Sequence, residues 1–361
     1  MPARRAQPTG LVVAVTGGSG YLAGTLIKNL CADDKIGRVV AFDIRPSNFS
    51  HPKLVFDHMD IRSDAIESRL RGVDVLVHLA FIMDPIKDES MMRDVNVNGS
   101  QNVFRCAGNA GVDKIVYASS AVVYGAHPDN PVPLTEDSPL RANLDFSYAA
   151  HKLEVEYVVR EFRDDHPGVT FTVLRPAIVF GPHVDSAWSH VLEIPLIIGV
   201  KGHSPSFQFV HEDDVTAALL FSVENDLDGP FNLAPSDWMT TEEVLAATGR
   251  KRFELPEAPA FSMIERLWGL GLSEVPAGML HYTMHPWLVS PDKLAAAGFT
   301  CSKTSREALD ALRREIAGYT RIGTKRVSKG GLVRGAVAGA GVVGAGLLWR
   351  TARRKRSPAR P

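Results

Sequence analysis

The stretch from Val12 to Gly24 constrains the fold of this chain more than any other. An apolar run of strand length, VVAVT, breaks into a glycine-rich turn, and a helical pattern of apolar residues begins directly behind it. This order predicts a strand, a phosphate-binding turn and a helix N-terminus. Gly17 then leaves the strand in a conformation that a β-carbon disfavours, and Gly20 lets the main chain approach a pyrophosphate. Ala23 replaces the third glycine of the pattern, and its small size still suits helix packing on the sheet.

A second apolar run, Arg38–Ile44, predicts a buried strand that ends at Asp43. A carboxylate at this place accepts hydrogen bonds from both ribose hydroxyls of an adenosine and repels a 2′-phosphate, so the sequence favours NAD over NADP. Arg45 is the opposing feature, because its guanidinium partly neutralises such a phosphate. Asp60 and Ile61, which close the next strand, are expected to flank the adenine ring.

Strand and helix patterns then alternate along the chain. We predict further strands at Leu54–Met59, Val73–Ala80, Lys114–Ser120 and Phe171–Val179, helices at Met91–Gly108 and about Ser147–Phe162, and a return to the sheet near Phe207–Val223. Such alternation predicts an α/β fold with a doubly wound parallel sheet, whose ligands lie at the carboxyl ends of the strands.

The same patterns predict the domain organisation. Residues 10–180, with a return segment at about 207–235, are expected to form a dinucleotide-binding Rossmann domain. Residues 181–206 and 236–320, where the periodicity is weaker and Pro, Trp and Met are more frequent, are expected to form a smaller substrate domain. Residues 321–361 form a basic, Gly/Ala-rich tail.

Tyr148 and Lys152 are four residues apart on a predicted helix, so their side chains share one face. A free tyrosine titrates near pH ~10, but a neighbouring ammonium and the positive nicotinamide of an oxidised cofactor both favour the phenolate. We therefore expect a lowered pKa for Tyr148, which takes the hydroxyl proton as hydride leaves the carbon, while Lys152 holds the nicotinamide ribose. Ser120, at a strand end, is placed to hydrogen-bond the carbonyl oxygen. The spacing alone also fits a surface pair on an amphipathic helix.

Composition bounds the function classes. The chain is 45% hydrophobic and 22% charged, which is typical of a soluble globular protein. Its three cysteines, Cys31, Cys106 and Cys301, show no metal-ligand or CxxC spacing, and the histidines show none either, so we expect a reducing, cytoplasmic compartment and no metal. We also expect no signal peptide, because the first apolar run is the strand before the glycine turn.

Charge is distributed unevenly along the chain. Eleven of the 40 Lys and Arg residues lie from Arg321 onward, where there is no Asp or Glu, so the rest carries 29 basic against 41 acidic residues. An acidic body argues against nucleic-acid binding.

The tail contains an uncharged segment, Gly335–Trp349, between Arg334 and a terminal basic cluster. It is shorter than the ~20 apolar residues that usually span a bilayer, although it extends to Leu332 if Arg334 snorkels. Membrane association, with the basic cluster on the cytoplasmic face, and a solvated Gly/Ala-rich tail both remain open.

Taken together, the motifs resemble the extended short-chain dehydrogenase/reductase family of NAD-dependent epimerases, dehydratases and hydroxysteroid dehydrogenases. The motifs that carry the resemblance are TGGSGYLAG, DIRSD, VHLA, NVNGS, YASSAVVYG, YAAHK and LRPAIVFGP, in this order. The resemblance implies a Rossmann fold with NAD and assigns the hydrogen-bonding serine to Ser120, the base to Tyr148 and its partner to Lys152.

The resemblance also implies contacts with the cofactor and with a second subunit. Backbone phosphate contacts fall at Tyr21 and Leu22, and nicotinamide-side contacts at Leu79, Ala80 and Phe81. A homodimer through the helices at about 91–108 and 147–162 is implied as well.

Two departures from the nucleotide-sugar epimerases bear on the substrate. Those enzymes usually carry an asparagine where this chain has Ile178 and an arginine where it has Phe207. Because both replacements are apolar, they indicate a less polar substrate, as in the hydroxysteroid dehydrogenase and dihydroflavonol-type reductase branch. Aromatic and Met residues of the later region fit an apolar pocket, and they equally fit the core of a lid.

Three functions therefore remain. The first is an NAD-dependent oxidoreductase acting on a secondary alcohol or ketone of a small, lipophilic, sterol-like molecule. The second is a nucleotide-sugar epimerase or dehydratase that keeps NAD tightly bound. The third is a non-catalytic NAD-binding scaffold, against which the Ser120, Tyr148 and Lys152 set argues.

Overall fold

The structure is a computed structural model, and it describes residues 10–322 and 325–328 of the 361-residue chain. Its strands are β1 (Leu11–Thr16), β2 (Ile36–Asp43), β3 (Leu54–His58), β4 (Val75–His78), β5 (Lys114–Ala118), β6 (Thr170–Pro176), β7 (Ile178–Phe180), β8 (Leu196–Val200), β9 (Phe209–His211), β10 (Gly229–Leu233), β11 (Lys251–Leu255), β12 (Tyr319–Ile322) and β13 (Lys325–Ser328).

Its α-helices are α1 (Tyr21–Ala32), α2 (Ile66–Leu70), α3 (Glu89–Arg93), α4 (Gly99–Ala110), α5 (Ser147–Asp165), α6 (Ala187–Glu193), α7 (Glu212–Glu224), α8 (Thr241–Thr248), α9 (Glu257–Gly269), α10 (Asp292–Ala296) and α11 (Ser305–Ile316). A π-helical turn (Asp94–Asn98) joins α3 to α4, and 3₁₀ turns form at Ala121–Tyr124 and Ala277–Thr283.

Seven of the described strands form one parallel sheet in the order β10-β6-β5-β4-β1-β2-β3. The strand order reverses between β1 and β4, which is the topological switch point where open α/β sheets bind ligands. Helices cover both faces, and β1 and β5 are accordingly almost continuous runs of buried residues. The predicted doubly wound α/β fold is confirmed.

Two predicted strands differ from the structure. The run Phe171–Val179 divides into β6 and β7 because Pro176 has no N–H to continue the ladder, and β7 turns away to pair with β9. The segment Phe207–Val223 contains only the short β9 before α7 begins, since three acidic residues favour a helix N-terminus there. The chain returns to the main sheet through β10 instead.

The later part of the chain builds a smaller layer beside the carboxyl edge of the sheet. β8 pairs in parallel with β11, and α9 packs beneath them with the 3₁₀ turn Ala277–Thr283 around a separate apolar cluster that includes Val200, Ile264 and Met284. The β12–β13 hairpin closes the described chain. The prediction of a separate substrate domain stays a prediction.

The predicted tail segment from Leu332 to Trp349 lies outside the described residues. Within the part of the chain that the structure describes, no helix is long and apolar enough to span a bilayer.

Candidate active site

The turn between β1 and α1 forms an open cradle at the switch point. Gly17 has a φ of +71°, and a β-carbon there would lie 2.8 Å from the backbone nitrogen of Ala80. A β-carbon on Gly20 would lie 3.1 Å from the Gly17 carbonyl oxygen. Helix α1 has no side-chain N-cap and no acidic residue in its first turn, so its positive end is uncompensated and the amides of Tyr21 and Leu22 are available. These features suit a bound phosphate group.

The carboxylate of Asp43 lies at the end of β2, next to this cradle. It accepts hydrogen bonds from the backbone N–H groups of Ser19 (3.0 Å) and Arg45 (2.8 Å), and only 8% of the residue is exposed. The Arg45 guanidinium lies 3.6 Å away and is largely in solvent. The glycine turn and the second strand are thus joined through the side chain that the sequence assigns to the adenosine ribose.

Asp60 and Ile61, which are predicted to flank the adenine, lie just after β3. Asp60 is in an ion pair, whereas Ile61 is buried. Arg62 holds the Asp60 carboxylate at 2.6 Å and lowers its pKa mainly through their hydrogen bond. Ile61 is buried, and its Cδ1 would lie 2.7 Å from a β-carbon on Gly99.

The segment after β4 is held from two sides. Thr16 Oγ1 accepts from the N–H groups of Leu79 (3.2 Å) and Ala80 (3.3 Å). Asn96, in the π-helical turn, accepts from the Ile82 N–H and donates to the Ile82 carbonyl. Phe81 between them therefore has a fixed place, with its ring edge-to-face to Tyr148 at 5.8 Å.

His78 lies inside β4 and is fully buried. Its ring nitrogens bond to the hydroxyls of Thr16 (2.7 Å) and Ser100 (2.9 Å). Burial lowers the pKa of His78 to about 3, and the charge of Lys152 acts in the same direction. The neutral His78 ring is thus hydrogen-bonded within the protein core, as expected for a structural residue. The described residues contain no cluster suited to a metal ion.

Ser120 and Tyr148 meet at the carboxyl end of β5. Their hydroxyls are hydrogen-bonded, and Ser120 also accepts from the N–H of Val122 at 3.3 Å. Burial raises the pKa of Tyr148 to about 12, the Ser120 hydrogen bond opposes that rise, and the charge of Asp84 adds to it. The chain's own groups therefore do not lower the pKa of Tyr148 as the sequence predicted, because the effect of desolvation is larger than that of the neighbouring polar contacts.

Lys152 lies one turn further along α5 and is 4% exposed. Its Nζ donates to the Ala118 carbonyl at 2.7 Å, lies 3.6 Å from the Phe81 ring centroid and 5.9 Å from the Tyr148 ring centroid. Burial lowers the pKa of Lys152 to about 7, while the Glu156 carboxylate opposes that shift. The amine thus lies near Tyr148 as predicted, with Phe81 as its nearest aromatic partner.

A buried polar network that was not predicted from the sequence packs behind these residues. The Glu156 carboxylate accepts from Ser119 Oγ (2.6 Å) and from the Arg175 guanidinium at Nε (2.9 Å) and Nη2 (2.5 Å). Arg175 also donates to the Tyr124 hydroxyl at 2.7 Å. Glu156 follows Lys152 by one helical turn, and that spacing was the one available signal.

A pocket of about 600 Å³, including its open mouth, lies in front of the hydroxyls of Ser120 and Tyr148, and it is named the catalytic pocket after these candidate catalytic residues. Apart from Ser120, Tyr148, Tyr21, Asp84 and Ser186, its walls are apolar: Met83, Val122, Phe146, Pro176, Ala177, Ile178, Val179, Ala187, Trp188 and Trp287.

A second cavity of about 630 Å³, again including its mouth, shares the walls Ile178 and Trp188 with the catalytic pocket. It is lined by apolar residues of β7, α6, β8, β9 and α8 and by Phe207, which precedes β9. Its two threonines donate to backbone carbonyls, and Arg252 donates to Ser204 and to the backbone carbonyls of Val200 and His203. Both residues that depart from the epimerase pattern, Ile178 and Phe207, therefore face this apolar space.

Comparison with known proteins agrees with this geometry. Residues 13–234 match the sequence profile described as the NAD dependent epimerase/dehydratase family. An uncharacterised protein of Mycobacterium tuberculosis is 30% identical over 254 residues, 68% of each chain.

Two relatives of known activity match a shorter part of the chain. An N-acetyl-alpha-D-glucosaminyl-diphospho-ditrans,octacis-undecaprenol 4-epimerase of Escherichia coli O157:H7 is 31% identical over 47% of this chain and 49% of its own. A 3-beta-hydroxysteroid dehydrogenase of Mycolicibacterium neoaurum is 28% identical over 55% of this chain and 57% of its own.

Solved structures share the fold. MoeE5, in complex with UDP-glucuronic acid and NAD, has a TM-score of 0.67 at 21% identity and covers 84% of this chain and 98% of its own. DesIV, a dTDP-glucose 4,6-dehydratase of Streptomyces venezuelae with bound NAD, has a TM-score of 0.66 at 22% identity and covers 85% and 96%.

Proposed function

This chain belongs to the NAD dependent epimerase/dehydratase family, and from that premise we propose that it oxidises or reduces a small lipophilic molecule with NAD. The reaction proposed is hydride transfer between NAD and a secondary alcohol or ketone of a sterol-like substrate. The observation that carries the proposal is the mostly apolar lining of the catalytic pocket, directly in front of Ser120 and Tyr148, and of the second cavity that adjoins it at Ile178 and Trp188.

The residues of the cradle fit a dinucleotide. Gly17 and Gly20 let the turn fold tightly against the Ala80 backbone and against itself, and the amides of Tyr21 and Leu22 would bind the oxygens of a pyrophosphate. Asp43 would hold the adenosine ribose, and Asp60 and Ile61 the adenine. Leu79, Ala80 and Phe81 would contact the nicotinamide side, and Lys152 its ribose. NAD, when bound, supplies the hydride acceptor or donor.

Tyr148 would move the proton. With a pKa of about 12 its hydroxyl is protonated at neutral pH, which suits it to donate a proton to the carbonyl oxygen of a ketone as that oxygen gains charge. In the reverse direction the phenolate accepts the hydroxyl proton of the alcohol. Ser120, hydrogen-bonded to Tyr148, would hold the same oxygen atom, and Lys152 would stabilise the phenolate when it carries an ammonium charge.

The apolar walls favour the lipophilic substrate over a nucleotide. A nucleotide diphosphate needs cations or N–H donors, and burying one against apolar side chains without them is costly. The second cavity presents Ile178 and Phe207 together with threonines that already donate within the protein. The one cation among its described lining residues, Arg252, already donates to Ser204 and to backbone carbonyls. A fused-ring or similarly apolar body gains free energy from the same surface, about 25 cal/mol per Å² of apolar area buried.

A nucleotide-sugar epimerase or dehydratase is the second candidate function. The names and ligands of the relative from Escherichia coli and of both solved structures favour it. In that reaction the hydride returns to the same sugar and NAD stays bound.

The spectrum of the purified protein separates the two. We expect an empty protein that binds NAD reversibly and, with NAD, oxidises 3β-hydroxysteroids or other lipophilic alcohols but does not convert UDP-glucose. Stoichiometric NAD that survives dialysis, together with turnover of a nucleotide sugar, would reverse the assignment. A Tyr148→Phe variant with unchanged turnover would instead favour the non-catalytic scaffold.

We propose two associations for the whole chain. The first is a homodimer through α4 and α5, whose neighbourhood exposes Met91 (48%) and Tyr157 (44%). A monomeric mass in sedimentation would exclude it.

The second is attachment of residues 332–361 to anionic membranes at the cytoplasmic face. Co-sedimentation with phosphatidylserine vesicles that persists after deletion of this segment would refute it.

A further inference from the structure

Asp84 is the one acidic side chain among the described residues that line the catalytic pocket. It lies on the loop that follows β4 and the Phe81 segment, and it is half-buried. Neither the proton transfer nor the cofactor contacts proposed above use it. A carboxylate kept in a largely apolar pocket costs free energy, so its presence needs a reason beyond filling space.

One oxygen of Asp84 has a structural partner and the other does not. Oδ1 accepts a hydrogen bond from the backbone N–H of Ala187 at 2.8 Å, which ties the loop to the first residue of α6. Oδ2 makes no hydrogen bond with the described residues and keeps accessible surface. One oxygen thus fixes the carboxylate in position, and the other is available to a ligand in the pocket that Asp84 lines.

The charges around Asp84 come from several elements. Burial raises its pKa, the Ala187 N–H, His190 and Arg321 act against that rise, and Asp185 adds to it. Asp84 in turn raises the pKa of Tyr148 and of Tyr21 across the pocket. The catalytic hydroxyl and this carboxylate therefore interact electrostatically through the substrate space.

We propose that Asp84 is a specificity-determining residue that accepts a hydrogen bond from a second hydroxyl or N–H group of the substrate. In this arrangement Ser120 and Tyr148 hold the reacting oxygen on one side of the pocket, and Asp84 holds a donor on the α6 side. The same negative charge disfavours substrates that carry an anionic group near α6. This inference rests on the proposed function, because it assumes that the substrate's reacting oxygen lies at Tyr148.

Matched variants separate this role from the link to α6. Asp84→Asn removes the charge but keeps an oxygen that can accept from the Ala187 N–H. Asp84→Ala removes both. Asp185→Asn is the control, since Asp185 also interacts with His190 and Arg321 but does not line the pocket.

The test compares ligands that differ by one group. Cyclohexanol, the 1,2-, 1,3- and 1,4-cyclohexanediols and 4-hydroxycyclohexanecarboxylate are titrated into the full-length protein with NADH, and binding is followed by ligand-observed NMR. We expect the wild type to bind at least one diol about tenfold more tightly than cyclohexanol, as a hydrogen bond to a charged group allows. Both Asp84 variants should lose this preference, Asp84→Asn should bind the carboxylate more tightly than the wild type does, and Asp185→Asn should behave like the wild type.

Two results would overturn the proposal: a wild type that binds diols and cyclohexanol equally, or a preference that survives in both Asp84 variants. Oxidation of cyclohexanol with NAD is measured separately and reports on the proposed function. A wild type that selects diols in an Asp84-dependent way without oxidising any alcohol would refute the proposed function and leave the role of Asp84 in binding intact.

Discussion

Substitution of Glu156 by Gln tests whether the buried network behind the active site stabilises the fold. The Glu156 and Arg175 side chains are 4% and 3% exposed, so each charge is removed from water and is compensated by the other. Three donors meet the carboxylate, two from the guanidinium and one from Ser119. Gln can accept at one atom only, and its NH₂ group would face a donor.

The expected loss follows from leaving a buried guanidinium without its counter-charge. Breaking one partner of a buried ion pair typically costs about 3–5 kcal/mol. An exposed pair typically contributes about 0–1 kcal/mol. The Lys35–Glu224 pair has a similar N–O distance of 2.7 Å but leaves 70% of the lysine exposed, so Glu224→Gln is the matched control. We therefore expect a difference of at least about 2 kcal/mol between the two variants.

Urea denaturation followed by tryptophan fluorescence measures this difference. The single variants Glu156→Met and Arg175→Met and the double variant that combines them form a cycle. We expect the double variant to lose much less than the sum of these two single variants because no charge is left unpaired. A Glu156→Gln protein within 1 kcal/mol of the wild type, or additive losses in the cycle, would refute the reasoning.

Three further predictions concern the cofactor, pH and the substrate cavity. Asp43→Ser should shift the ratio of NADPH to NADH affinity about tenfold toward NADPH, since Arg45 remains, and an unchanged ratio in a fluorescence titration would exclude the ribose role. The pKa of His78 is about 3 when folded and about 6.5 when unfolded, so the unfolded state binds more protons between these values and stability falls as pH drops through this window. His78→Gln should weaken that fall between pH 6.5 and 4 in urea melts, and an unaltered slope would contradict it. Leu245→Trp, which fills the second cavity, should raise KM for a 3β-hydroxysteroid at least tenfold more than for cyclohexanol, whereas equal effects would show that the cavity is not used.

The fold could be predicted because its signals are local. Strands that are buried on both faces consist of continuous apolar runs, which are visible in the sequence. The turn at Gly17 has a positive φ, a conformation that favours glycine, so the glycine in the sequence indicates the turn. The wrong strand predictions arose where one sequence pattern was compatible with two different strand pairings. The run Phe171–Val179 is apolar throughout, and only the partner strands decide that it divides beside Pro176 between two sheets.

The candidate site could be predicted in part for the same reason. Tyr148 and Lys152 share a helix face, so their proximity follows from spacing. The pKa of Tyr148 could not be predicted, because it depends on how deeply the packed chain buries the hydroxyl. The pairing of Glu156 with Arg175 joins α5 to β6, and it depends on how that helix lies against the sheet.

Helix α6 contributes walls to both cavities, and distant parts of the chain hold it in position. Asp84 holds its first residue, and Trp188 forms the wall between the two cavities while stacking on Trp287 at 5.8 Å. At its other end Glu193 forms an ion pair with Arg321 of β12, in which Oε2 and Nε are 3.2 Å apart. Asp84, Trp287 and Arg321 are each separated by about a hundred residues or more from the α6 residue that they contact, so no local pattern could reveal the pocket shape. We therefore predict that changes in the β12–β13 hairpin alter substrate choice through α6, although the described residues of the hairpin do not line the pocket.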